Sequence, residues 1–159
     1  MEKKYLVSQI LIGKNINLMN ISLLLLRCTI GLILFVVGAG KVLGWFGGMG
    51  INKTLQIFTS NMHIPAYLAY ISCYTEFLGG LFLIIGLFTR PVAFLVTINM
   101  IVATIFMWSS GFPSGGAAYP FSLTIISAAI LLSGPLNFSL DNLFFQYDGI
   151  GNKAYRNGN

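Results

Sequence analysis

The stretch Arg27–Lys41, RCTIGLILFVVGAGK, decides how the rest of the chain must fold. It is as apolar as the core of a membrane span, yet it carries a cation at each end. An arginine within a hydrocarbon-facing run costs about 3 kcal/mol on insertion scales. Arg27 must therefore turn toward protein or water and find a partner. The partner expected for it is Glu76, which sits in the middle of the next long apolar run.

Composition agrees with a membrane chain. Of 159 residues, 56% are hydrophobic and only 8% charged, and the mean hydropathy is +0.81. Soluble domains carry about 25% charged residues, so this chain lacks the means to cover itself with a water-facing surface. The net charge of +5 is spread along the chain without a basic cluster, which excludes a nucleic-acid-binding face. No cleavable signal peptide is expected: Ser8 and Gln9 interrupt the apolar stretch after Lys4, and no small-residue cleavage site follows.

The periodicity predicts an all-α membrane protein, a bundle of four transmembrane helices with a short interfacial helix in the first extracytoplasmic loop. Residues 1–20 form a cytoplasmic or interfacial segment, and Asn15, Asn17 and Asn20 break the apolar run before the first span. The membrane domain occupies 21–143, with spans at 21–43, 66–88, 92–109 and 120–132; the first fits a hydrocarbon core of ~30 Å, and the fourth is short. Gly44-Trp45-Phe46-Gly47-Gly48-Met49-Gly50 cannot continue a helix. Beyond it, Ile51, Leu55, Phe58 and Met62 recur as one stripe opposite Asn52, Lys53, Gln56 and Ser60, the pattern of a helix lying at the membrane surface. Residues 144–159 form a polar tail. Four spans place both termini on one side, together with Lys3, Lys4, Lys14, Arg90, Lys153 and Arg156, whereas Lys41 and Lys53 lie on the other. That asymmetry predicts cytoplasmic termini in a multi-pass inner-membrane protein.

Counting ~1.5 Å of rise per residue, Arg27, Glu76, Asn99 and Ser127 fall at depths that can form one polar layer inside the bundle. On the first span, Gly31, Gly38 and Lys41 share the Arg27 face, and on the second Cys73, Glu76 and Gly80 share another. Small residues let helices approach closely in lipid, so the charged faces are also packing faces. Two readings follow: an Arg27–Glu76 ion pair that only sets helix register, or a binding layer of Arg27, Lys41, Glu76, Asn99 and Ser127 that takes a small ligand or handles a proton.

Little else in the chain carries chemistry. Cys28 and Cys73 lie in spans, form no C-x-x-C pair and read as buried thiols. His63 lies beside Pro65 and reads as an interfacial residue, with no metal site expected. There is no glycine-rich dinucleotide motif, phosphate loop or nucleophile–His–carboxylate set.

Several short motifs stand in order along the chain: Leu26-Arg27 with Gly31 and Phe35; Gly38-x-Gly-Lys41-x-Leu43; Gly44-Trp45-Phe46-Gly47-Gly48; Glu76-Phe77-x-Gly79-Gly80; Gly86-Leu87-Phe88-Thr89-Arg90; and Gly134-Pro135 with Ser139-Leu140-Asp141. In these motifs the chain resembles the DoxX family of bacterial and archaeal inner-membrane proteins. The resemblance implies a four-helix bundle and marks Arg27, Lys41, Glu76, Arg90 and Asp141 as recurrent charged positions. It implies a link to redox systems, since relatives include a small subunit of an archaeal thiosulfate:quinone oxidoreductase and proteins of thiol and oxidative-stress systems. Two positions depart from the family pattern: Met107-Trp108 stands where many members have a histidine, and Tyr119-Pro120 where many have a charged residue.

The function expected is thus that of a binding or partner subunit in a redox-linked membrane system. No cofactor motif is present, and quinone is the cofactor the resemblance admits. The alternatives are a quinone-linked oxidoreductase subunit in its own right, or a small-solute transporter. The expected partners are the lipid bilayer, other membrane redox proteins or a second copy of the chain, and not nucleic acid.

Overall fold

The computed structural model describes residues 16–134 and 139–141; the expectations for the segment before residue 16 and for the tail 144–159 lie outside them. The elements are α1 (Ile16–Leu43), a 3-10 turn (Trp45–Gly47), α2 (Gly50–Ser60), α3 (Ala66–Ile85), α4 (Thr89–Trp108) and α5 (Ala118–Ser133). Among the described residues there is no strand. Three helices, over Leu18–Leu43, Ala66–Ile85 and Thr89–Trp108, are long and apolar enough to cross a membrane, and α5 is a shorter apolar helix.

The boundaries follow from local chemistry. The first helix begins at Ile16, ahead of Asn17 and Asn20, both expected to precede it, and Asn20 is buried within α1. An asparagine lowers helix propensity by only a fraction of a kcal/mol, too little to stop a helix whose neighbours are leucine and isoleucine. The second span ends at Ile85, three residues short of the expected 88. Gly86 takes a left-handed conformation (φ 70°), and the amides of Gly86 and Leu87 both donate to the Phe82 carbonyl, at 2.9 and 3.0 Å. This doubled cap satisfies the end of α3 and turns the chain. Pro91 and Pro120 lie in the first turns of α4 and α5, where a missing N–H costs nothing.

The four long helices form a ring: α1 packs chiefly along α3, α3 beside α4, α4 chiefly along α5, and α5 returns to α1. Their shared core is Ile30 and Leu34 of α1, Leu83 of α3, Val92, Ala93, Val96 and Met100 of α4, and Leu123 and Ile130 of α5. The outer surface carries exposed Leu25, Leu32, Ile71, Ile105 and Leu132. Helices apolar on every face are suited to lipid outside and protein inside.

Glycine sets the closest helix contact. A Cβ at Gly38 would collide with the Phe77 backbone and one at Gly80 with the Phe35 backbone, while one at Gly31 would stand 2.9 Å from the Gly80 carbonyl oxygen. These contacts run in opposite chain directions, so α1 and α3 are antiparallel, with residues 31, 35 and 38 facing 84, 80 and 77. The Phe35 and Phe77 rings stack beside the seam, 5.4 Å between centroids. α2 lies across one end of the bundle in contact with α1 and α3.

Candidate functional site: an ion pair beneath a glycine-rich loop

The carboxylate of Glu76 receives Lys41, not Arg27. Lys41 Nζ donates to both oxygens, at 2.7 Å to Oε1 and 2.6 Å to Oε2. The correction has two physical causes. The antiparallel register sets Arg27 opposite Gly86, ten residues and ~15 Å of helical rise from Glu76. Helical side chains also lean toward the N-terminus of their own helix. That lean carries Lys41 back along α1 and Glu76 back along α3, so the two converge, and it carries Arg27 away.

The pair is asymmetric. The Glu76 side chain is 5% exposed and that of Lys41 28%, so the carboxylate is enclosed behind the partly exposed ammonium. Above them the chain doubles back on itself. Gly44 (φ 74°), Phe46 (φ 55°) and Gly47 (φ 78°) all take left-handed conformations, and Gly48 seats directly on the Gly40 backbone, leaving no room for a Cβ. The loop therefore folds over the end of α1 instead of extending from it. Thr54, the buried residue of α2, donates to the Gly50 carbonyl at 2.8 Å and lies 3.4 Å from the Lys41 carbonyl. This ties α2 to the last turn of α1.

Between loop, α2 and α1 lies a cavity of about 430 Å³, lined by Val36, Val37, Gly40, Lys41, the loop residues Trp45–Met49, Thr54, Ile57 and Phe58. Lys41 Nζ stands 5.8 Å from the centre of the Phe58 ring, a cation–π distance. The size falls within the ~300–1,000 Å³ of small-molecule pockets. Its walls are apolar and aromatic, with the ammonium as the one charged group. Cys73, one turn before Glu76, is fully buried and stands in the electrostatic field of both Lys41 and Glu76.

The remaining residues of the expected polar layer lie elsewhere. Thr97 Oγ1 donates to Ser127 Oγ at 2.9 Å, and Ser127 donates in turn to the Thr124 carbonyl at 3.0 Å, which joins α4 to α5. Asn99 is half-buried on α4, and its Nδ2 is enclosed without a hydrogen-bond partner among the described residues. Arg27 is buried at the opposite end of the bundle, against Gly86, in the field of Asp141. Asp141 itself accepts from the backbone amides of Phe88 (2.6 Å) and Thr89 (2.8 Å), and its own amide donates to the Gly86 carbonyl at 3.1 Å. Arg90 lies against Gly134 at the end of α5. The five recurrent charged positions thus form two clusters: Lys41–Glu76 under the loop, and Arg27, Arg90 and Asp141 where α3, α4 and α5 end or begin.

Sequence reasoning did not single out Thr54 or Phe58 as site residues. The signal available was the glycine-rich run 44–50: such a run ahead of a short amphipathic helix can fold that helix back over the preceding span.

An all-helical bundle with three membrane-length apolar helices and an ion pair held between two of them is an integral membrane protein. The chain belongs to the DoxX family, whose model matches residues 22–109. It is 32% identical over 139 residues to the "Putative oxidoreductase CatD" of Bacillus subtilis (strain 168), a match covering 87% of this chain and 93% of that one. It is 29% identical over 131 residues to the "Inner membrane protein YqjF" of Escherichia coli (strain K12), covering 80% and 95%. No solved structure shows a significant match.

Proposed function

We propose that this protein is a four-span inner-membrane protein with cytoplasmic termini, acting as a ligand-binding or partner subunit of a redox-linked membrane system. Its ligand site is the cavity over Lys41 and Glu76, and the ligand is a flat, uncharged ring bearing a carbonyl, of which a quinone head group is the membrane-soluble example. The observation that carries this reading is a salt-bridged lysine shown to an apolar, aromatic-walled cavity at one end of the bundle. Lys41 and Glu76 neutralise one another, which favours a neutral ligand over an ion. Trp45, Phe46 and Phe58 supply ring surfaces. The redox link is supported by the name of the Bacillus subtilis relative. α5 serves as the fourth span, its 16 residues extended by the loop before it, and α2 lies at the extracytoplasmic surface. The membrane domain is 21–143, with α1 extending into the preceding segment.

The test is a quinone titration of the purified protein in lipid nanodiscs. In a Trp108→Phe background, Trp45 is the sole tryptophan, so a decylubiquinone bound in the cavity quenches its fluorescence saturably. Quenching that rises linearly, as in nanodiscs carrying an unrelated membrane protein with one interfacial tryptophan, would falsify the ring-ligand reading.

A further inference from the structure

The cavity lies on one flank of the bundle. Its α1 wall is Val36, Val37, Gly40 and Lys41, and the rest of its lining comes from the loop and from Thr54, Ile57 and Phe58 of α2. Among the described residues α3, α4 and α5 contribute no wall. Gly31 and Gly38 of α1 face α3, with Phe35 between them. At 3.6 residues per turn, Val36 and Gly40 point about 130° and 170° away from that seam. Depth varies along the same wall. Lys41 stands ~3 Å and Val36 ~10 Å from the end of α1 at Leu43, so the cavity starts near the end of the span and reaches into the hydrocarbon. Below Val36 the face runs on: Leu32 and Leu25 fall within about 40° of it on the helix, and both are exposed.

We propose that the cavity opens sideways to the bilayer along α1 and takes a tailed amphiphile, its ring beneath the loop and its hydrocarbon tail lying down the Val36–Leu32 face toward Leu25. The ligand then loads from the membrane and not from water. Loop and α2 roof the end nearest the aqueous phase, whereas the deep end is bounded by valine and continues into an exposed apolar helix face. A tail on that face exchanges one apolar neighbour for another, since lipid chains are as apolar as leucine. It therefore stays in hydrocarbon while the ring is bound. This inference rests on the ring-ligand reading of the preceding section and adds the tail and the route by which the ligand enters.

The experiment compares two quinones on the intact protein in lipid nanodiscs, in the Trp108→Phe background, with Trp45 quenching as the readout. One is decylubiquinone, and the other is the same ring carrying a methyl group in place of the decyl tail. Each affinity is expressed per mole fraction of quinone in the lipid, using partition into empty nanodiscs. With a mouth facing lipid, decylubiquinone is expected to bind within about threefold of the tailless ring, or more tightly. A mouth facing water would draw tail methylenes out of the bilayer at a cost of about fourfold in affinity each. A deficit larger than threefold for decylubiquinone therefore overturns the lateral mouth and leaves ring binding in place. Saturable quenching by neither quinone removes the ring-ligand reading, and this inference with it. A decylubiquinone analogue bearing a diazirine midway along its tail locates the tail directly. On irradiation, adducts suppressed by excess decylubiquinone are expected within residues 29–36 of α1. Adducts so suppressed that fall in α2 or the loop instead overturn the proposed route.

Discussion

Lys41 and Glu76 meet across 2.6 Å because glycine lets their helices touch backbone to backbone. The seam built by Gly31, Gly38 and Gly80 brings α1 so close to α3 that a lysine near the end of one helix reaches a carboxylate near the middle of the other. A bulkier seam would hold the two groups apart, each facing lipid without its counter-charge.

The first prediction concerns that pair. Lys41→Met leaves the Glu76 carboxylate buried and unpaired, a loss of roughly 3–5 kcal/mol for fully buried pairs and nearer the lower figure here because Lys41 is partly exposed. Lys41→Met/Glu76→Met removes both charges and recovers most of the loss. Thermal unfolding in detergent should order the proteins as unmodified, double, single. A double variant no more stable than the single one would show that the two groups are not coupled.

A second prediction separates packing from backbone conformation. Gly38→Ala places a methyl group into the Phe77 backbone, which neither helix can yield without parting, and overpacking of this kind costs about 1–3 kcal/mol or more. Gly47→Ala meets nothing within 4 Å, but its φ of 78° penalises an L-residue by roughly 1–2 kcal/mol. Unfolding midpoints should therefore fall further for Gly38→Ala, and its loss should deepen with Gly38→Val. Gly47→Val should add little to Gly47→Ala by crowding.

At the other end, Asp141 caps α4 from more than 50 residues away. The N-cap, Phe88, supplies no side-chain acceptor, so the carboxylate satisfies amides that the helix itself leaves open and places negative charge at its positive end. Asp141→Ala should cost about 1–2 kcal/mol and raise hydrogen exchange at the Phe88 and Thr89 amides specifically. Asp141→Asn, which keeps an acceptor but loses the charge, should fall between.

Topology is open to direct measurement. With Cys28→Ser and Cys73→Ala removing the native thiols, Met49→Cys in the exposed loop should react with a membrane-impermeant maleimide added to intact cells. A fluorescent protein fused after Asn159 should fold and fluoresce in the cytoplasm. Labelling of Met49→Cys only after permeabilisation would reverse the orientation inferred from the six-to-two division of cations.

The amino-acid sequence by itself determined the class of fold and much of its punctuation. Three apolar runs long enough to span lipid, prolines that open α4 and α5, and the Ile51, Leu55 and Phe58 positions of α2 are local properties, set by propensity and period, and they are legible without a structure; Met62, expected to continue that stripe, falls beyond the end of α2 at Ser60. Glu76 and Lys41 were also legible as inward-facing, because an ionised group in an apolar helix has nowhere else to go. Which cation meets which carboxylate was not legible. Register between antiparallel helices depends on where α3 stops, and that was decided by the left-handed turn at Gly86 and by close contacts at Gly31, Gly38 and Gly80. An error of three residues there moves a side chain by about 4.5 Å, enough to change its partner. Tertiary structure alone separated the expected polar layer into an ion pair under a loop, a hydroxyl bridge between α4 and α5, and a charged clasp around Asp141. The folding of the Gly44–Gly50 loop over Lys41 likewise belongs to the assembled molecule, since the cavity exists only where α1, α2 and the loop come together.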